Sequence, residues 1–261
     1  MEKIMLTSEK MATASAVIAR PFADTRPAHN TQPYDYQRFL NEIVDVYDSK
    51  LIRAYCKARF TIININILQM LGLCLRGRKR ILDVGCGFGL FGCYLSAMYP
   101  EVEYSGYDLN EGRIDKANQA AHRLGLKNAH FSVGDARDLG IEKEYDAIMM
   151  VDLLHHIDDA AKSSLLDLCA SHLAPDGRLV IKDVTTRPFH KIAFTWALDV
   201  VMTKGFEMWY WSEDRFYKEL GQHFASIEMY PITDWLPYPH VIYLCEKMRD
   251  RSAGDPVREG V

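Results

Sequence analysis

The stretch at residues 81–95, ILDVGCGFGLFGCYL, sets a carboxylate, Asp83, at the end of an apolar run and follows it with Gly85, Gly87, Gly89 and Gly92. Glycines at a turn from strand into helix let a ligand touch bare main chain, because no Cβ intervenes and positive φ is available. An adenosine-containing cofactor is the default occupant. Gly87, Gly89 and Gly92 spell GxGxxG, the spacing of dinucleotide sites. In that fingerprint the first glycine directly follows the strand, whereas here Asp83, Val84, Gly85 and Cys86 intervene. A carboxylate beside a pyrophosphate repels it; beside a ligand carrying ammonium and sulfonium charges it attracts. The residues favour a sulfonium nucleoside, with an NAD(P)-dependent oxidoreductase as the lesser alternative.

A second chemical cluster lies downstream. His155 and His156 follow an apolar run that ends in Val151 and Asp152. Imidazole titrates near neutrality, so either histidine can serve as a general base toward a hydroxyl acceptor, His156 being the first choice and His155 the second. Each can also be a structural histidine. Lys182 and Asp183 end a later apolar run, where they either position an acceptor or form a local ion pair.

These groups need a scaffold. Short apolar runs at Arg80–Val84, Glu103–Asp108, Ala129–Val133, Tyr145–Val151 and Gly177–Asp183 alternate with helical patterns near Phe91–Met98, Gly112–Leu124 and Ala160–His172. The order βαβα implies a parallel sheet covered on both faces. A helix at Ser212–Gly221 and strands near Phe224–Tyr230 and His240–Glu246 bring the strand count to seven. Upstream, Tyr36, Phe39, Leu40, Ile43, Val44 and Tyr47 recur at helical spacing, and TIININILQMLGLCL reads as a further helix despite its alternating Ile63, Ile65 and Ile67.

LDVGCGFG resembles motif I of the class I S-adenosylmethionine-dependent methyltransferases, and later segments fall in that family's order. YSGYDLN ends its strand with Asp108, as the family's ribose-binding acid does. VGDARDL, with Asp135 and Ala136, resembles the adenine-reading segment; IMMVDLLHHI resembles motif IV and GRLVIKDV the fifth strand. The likeness is close over roughly residues 75–184 and loose over the last two strands. It implies an α/β fold: a seven-stranded doubly wound Rossmann-like sheet, six strands parallel and the last antiparallel, with N-terminal helices and a helical insert after the fifth strand forming a cap. It also implies S-adenosyl-L-methionine as cofactor, giving S-adenosyl-L-homocysteine. Gly85, Gly87 and Gly89 would pack on the methionine portion, Asp83 would lie near the ammonium, and Asp108 would hold the ribose, with Cys86 and Leu109 also among the cofactor-binding residues. Asp135 and Ala136 would meet adenine; Val151 and Asp152 would line the floor beside the sulfonium. Asp152, His155 and His156 resemble an acid-x-x-acid-His metal pattern, but His155 replaces the second acid, and no metal is expected.

Composition bounds the partners. The 261 residues are 48% hydrophobic, enough for a full core, and 31 Lys+Arg against 35 Asp+Glu give a formal charge of -4. No overall basic field draws nucleic acid. The six cysteines form no CxxC pair, and no run of about 18 uncharged apolar residues would span a bilayer. A cytoplasmic enzyme is expected, monomer or homodimer, with residues 1–33 a flexible leader, 34–248 one domain and 249–261 a disordered tail. Cap helices are expected at 34–72 and 185–211. The insert's Phe189, Phe194, Trp196, Phe206, Trp209 and Trp211 read as the apolar roof of a hydrophobic or aromatic small-molecule acceptor, such as a secondary metabolite, quinone or lipid-like compound. The same aromatics serve equally as core, dimer contact or peripheral membrane surface. A catalytically silent S-adenosylmethionine-binding partner subunit is the alternative from another class.

Overall fold

A computed structural model of the chain describes residues 35–135, 144–187, 196, 208–232 and 238–247. Three helices lead: α1 (Tyr36–Asp45), α2 (Lys50–Ile62) and α3 (Ile65–Cys74). Asp35 and Ser49 cap the first two by accepting from main-chain amides of Arg38 and Ile52. The expected single helix over TIININILQMLGLCL is instead broken. Asn64 accepts from the amides of Asn66 and Ile67, ending one helix and opening the next, while Ile63 is buried at the corner. A side chain that satisfies two otherwise unpaired amides outweighs the helical continuity of the apolar pattern.

The alternation then follows: β1 (Arg80–Val84), α4 (Leu90–Met98), β2 (Glu103–Asp108), α5 (Glu111–Arg123), β3 (Ala129–Val133), β4 (Tyr145–Val151), a 3-10 turn (Leu154–His156), α6 (Asp159–His172), β5 (Leu173–Val184), α7 (Glu213–Leu220), β6 (Phe224–Pro231) and β7 (His240–Lys247). Among the described residues the seven strands form one sheet in the order β3-β2-β1-β4-β5-β7-β6. β7 runs antiparallel to both its neighbours, β5 and β6, as expected. β5 begins earlier than expected. Leu173 pairs with Tyr145 and Arg178 with Ala147, so residues 174–177 bulge out within the strand.

Both faces of the sheet are buried, which is why its central strands read as continuous apolar runs. Ile81, Ala147, Met149 and Val180 pack with α1 to α5, whereas Leu82, Ile148, Met150 and Ile181 pack with α6 and α7. The period of two carries through to the strand ends. Asp83 shares a face with Ile81, while Lys182 and Asp183 fall on opposite faces. The order reverses between β1 and β4. A crevice opens beyond the carboxyl ends of strands at such a switch point.

Candidate active site

The crevice is a cleft of about 870 Å³, bordered by the glycine turn, the ends of β2 and β4, helix α2 and the segment at 208–209. Asp83, Gly85, Cys86, Gly87, Asp108, Leu109, Asp135, Val151, Asp152, His155 and His156 all line it. Gly89 lies behind this wall as the N-cap of α4, with φ +72°. A Cβ there would stand 2.7 Å from Cβ of Ala117 and 2.8 Å from the Phe131 ring, so both backbone and packing require glycine. The candidate Ala136 lies outside the described residues, as do Phe189, Phe194 and Phe206 of the insert.

The turn is tied to β2. Amides of Gly85 and Cys86 donate to the Tyr107 carbonyl at 2.7 and 2.9 Å, and the Gly87 amide donates to Oδ2 of Asp108 at 2.9 Å. Asp108 Oδ1 accepts from the Asn110 amide at 2.9 Å, which fixes the carboxylate at the strand end. Asp83 is buried, and Tyr104 donates its phenolic hydrogen to Oδ2. Oδ1 of Asp83 has no hydrogen-bond partner among the described residues. Burial pushes this carboxyl up to about 7; the Tyr104 hydrogen bond works against that and the Asp108 charge adds to it. A buried carboxylate oxygen left without a donor, on a cleft rimmed by a bare turn and a second carboxylate, suits a ligand that presents an ammonium and a diol.

Opposite lies a cluster of charges. Asp152, the one non-glycine residue of positive φ (52°) among those described, places Oδ1 2.5 Å from Nζ of Lys182 and Oδ2 2.8 Å from a guanidinium nitrogen of Arg59. Burial alone would raise the Asp152 carboxyl, but Lys182 and then Arg59 outweigh it and hold it well below the carboxylate range. Both of its oxygens are thus engaged by cations. On the other face of β5, Nδ1 of His155 lies 2.6 Å from Oδ1 of Asp183. That carboxylate is itself fixed by amides of Val184 (2.8 Å) and Leu154 (3.0 Å). A carboxylate at Nδ1 sets the tautomer and leaves Nε2 as the basic nitrogen. His156 stands at the cleft mouth, its ring reachable from solvent yet set among protein atoms. That desolvation, and then charge on His155, brings its imidazole down to about 4.

The insert divides. Trp209 borders the cleft, and its amide donates to the His155 carbonyl at 2.9 Å. Trp211 turns away from the expected roof into the core, where its indole N–H donates to Asp159 at 2.8 Å and its ring packs on Phe216. Buried Lys162 on α6 donates to the Trp209 carbonyl and lies 4.8 Å from the Trp211 ring centroid, a cation–π contact. Trp196 is 44% exposed. His240, seen in sequence as a strand start, is buried at the cleft wall with its ring stacked on Tyr238. Arg59 and Tyr104 were not singled out from sequence. Tyr104 carries a faint signal, lying four residues before Asp108 and so on the same strand face; Arg59 carries none.

A doubly wound sheet of this order, with a glycine turn after β1 and an acid ending β2, defines the class I methyltransferase fold. Residues 81–177 match the family described as Methyltransferase domain, and this segment is a methyltransferase domain of the class I type, whose cofactor is S-adenosylmethionine. The chain is 37% identical over 78 residues to the fatty-acid O-methyltransferase of Mycolicibacterium smegmatis, covering 30% of this chain and 27% of that protein. It is 30% identical over 113 residues to the ubiquinone biosynthesis O-methyltransferase of Marinobacter nauticus, covering 42% and 46%. These alignments span less than half of either relative. The solved structure of apo SibL, an S-adenosylmethionine-dependent methyltransferase, superposes with a TM-score of 0.63 at 16% identity, over 79% of this chain and 61% of that one, a likeness of fold. No helix among the described residues is long and apolar enough to cross a membrane.

Proposed function

We propose that the chain binds S-adenosylmethionine in the cleft between β1 and β4 and transfers its methyl group to a hydroxyl of a small, apolar or aromatic acceptor. Asp83 would meet the ammonium, Asp108 the ribose, and Asp135 the adenine. The observation that carries the reading is the pairing, in one cleft, of the bare turn and its two carboxylates with a carboxylate-oriented histidine. When bound, S-adenosylmethionine supplies a methyl group already activated on a sulfonium, so the chain's task is alignment and proton removal. His155 is the better base of the two histidines. Asp183 orients its ring and stabilises the imidazolium formed when it takes the acceptor's proton, whereas His156, held down to about 4, is a weak base. Asp152, with both oxygens paired, takes no proton and serves as a fixed anion on the floor.

The walls support an apolar acceptor. Tyr55, Ile62, Phe91, Met208, Trp209 and Tyr238 line the cleft. Two of the relatives are named as O-methyltransferases, one of fatty acids and one in ubiquinone biosynthesis, and they support O-methylation here. The test uses methyl-labelled S-adenosylmethionine with panels of phenols and apolar alcohols, together with extract of the native cell. Labelled product from the parent and a loss of about two to four decades in rate for His155→Ala, with calorimetric binding of S-adenosylhomocysteine retained, support the proposal. Parental rates in His155→Ala remove the base, and absence of binding removes the cofactor.

A further inference from the structure

Behind the glycine turn lies a residue that touches no ligand surface and yet bears on Asp83. Tyr104 is wholly buried on β2, across from Ile81 in the β1 register, and its ring lies against Phe131 with centroids 5.8 Å apart. Gly92 on α4 makes room for it: a Cβ at that position would stand 2.4 Å from Cε1 of Tyr104. Helix, strand and turn therefore close around one phenol, whose hydroxyl ends on Oδ2 of Asp83. The other oxygen of the same carboxylate is buried without a hydrogen bond among the described residues, and Asp83 lines the cleft.

We propose that Tyr104 is a positioning residue for the cofactor site, occupying one oxygen of Asp83 from behind so that the other is held ready for the ammonium of the bound ligand. This rests on the reading of the cleft as an S-adenosylmethionine site. A phenol is a donor that stays protonated here, since burial and then the Asp83 charge keep its acidity far below normal. It can therefore stabilise the ionised carboxylate without ever competing for its proton. The groups facing Asp83 are Tyr104 and Asp108 from β2 and Cys86 from the turn; Cys86 is a thiol that burial pushes up, so it stays neutral. With the carboxyl at about 7, an ammonium ligand is bound best by the ionised form, and binding releases a proton.

Two consequences are measurable. In the parent, affinity for S-adenosylhomocysteine rises between pH 6 and 7.5, approaching about tenfold per unit at the acid end, where one proton must leave for each ligand bound. In Tyr104→Phe the carboxylate loses its donor, so the rise moves to higher pH. Binding is weaker by about tenfold or more at pH 6.5 and closes on the parent's as pH increases, an effect expected from removing a hydrogen bond to a charged group. Asp83→Asn removes the pH dependence and isolates any contribution of the cleft histidines, which would survive it. Calorimetry of the full-length proteins in buffers of differing ionisation enthalpy reads affinity and proton release together. A parent whose affinity is flat with pH overturns the inference, as does a Tyr104→Phe protein weakened equally at every pH, the result of a merely structural tyrosine. Absence of binding by the parent at any pH overturns the cofactor reading itself, and the inference with it.

Discussion

Asp152→Asn is a demanding test of the cleft's electrostatics. The carboxylate lies between two cations that differ in one respect: the Lys182 side chain is 0% exposed, whereas that of Arg59 is 16% exposed and reaches in from helix α2. Removing the negative charge leaves Arg59 a route to water and Lys182 none. Stranding one member of a buried pair typically costs about 3 to 5 kcal/mol, against about 1 kcal/mol or less for an exposed pair. Asparagine is the right probe because the backbone at this position has φ 52°, which Asn adopts readily, so no strain is added to the charge effect. We expect a loss of about 3 kcal/mol in urea unfolding, or about 6 to 12 °C in Tm for a domain of this size. Lys182→Met in the same background should restore most of the loss, since an apolar chain of similar length replaces the stranded cation. A cost below about 0.5 kcal/mol for Asp152→Asn, or no recovery in the double variant, would refute the assignment of Lys182 as a buried cation dependent on this carboxylate.

Acid titration checks the same cluster with a definite sign. The Asp152 pKa is depressed in the fold, so its contribution is complete above the unfolded value near about 4 and is lost only as pH falls through the lower folded value; the stability gap between parent and Asp152→Asn should be level from pH 7 to about 4 and narrow below it in urea titrations. Asp108→Ala removes the acceptor of the Gly87 and Asn110 amides as well as the proposed ribose partner, and should weaken S-adenosylhomocysteine binding by about 1.5 to 3 kcal/mol in calorimetry. Gly89→Ala places a methyl group against Ala117 and Phe131 at positive φ, and should lower stability by about 1 to 3 kcal/mol by chemical denaturation.

Most of the sheet was legible because a strand buried on both faces must be apolar throughout, and the helices between strands advertise themselves by period and caps. Asp83 and the glycines stood out for a related reason, since they fall within a few positions of one strand-to-helix turn, and Asp108 stood out as an acid ending the next strand. Pairings across the fold are another matter. Arg59 reaches Asp152 from 93 positions away, and nothing around it distinguishes one basic residue on a helix from another. Tyr104 reads as an ordinary strand aromatic until Gly92 is known to lie above its ring. The break at Asn64 was missed because an apolar pattern persists through it while the decisive event is a side-chain cap. Trp211 looked like pocket wall in a run rich in aromatics; its indole proton, satisfied by Asp159, belongs to the core.

The end of β5 joins these results in one respect. Lys182 serves the floor of the cleft and Asp183 serves the histidine, and they are adjacent residues separated only by the alternation of the strand. A slip of this strand by one position would turn the ammonium toward the imidazole and one carboxylate toward another, setting like against like on both sides. Alignment of the proposed base and conformational integrity are therefore read from the same ruler, and drift in one cannot be tolerated while the other is kept.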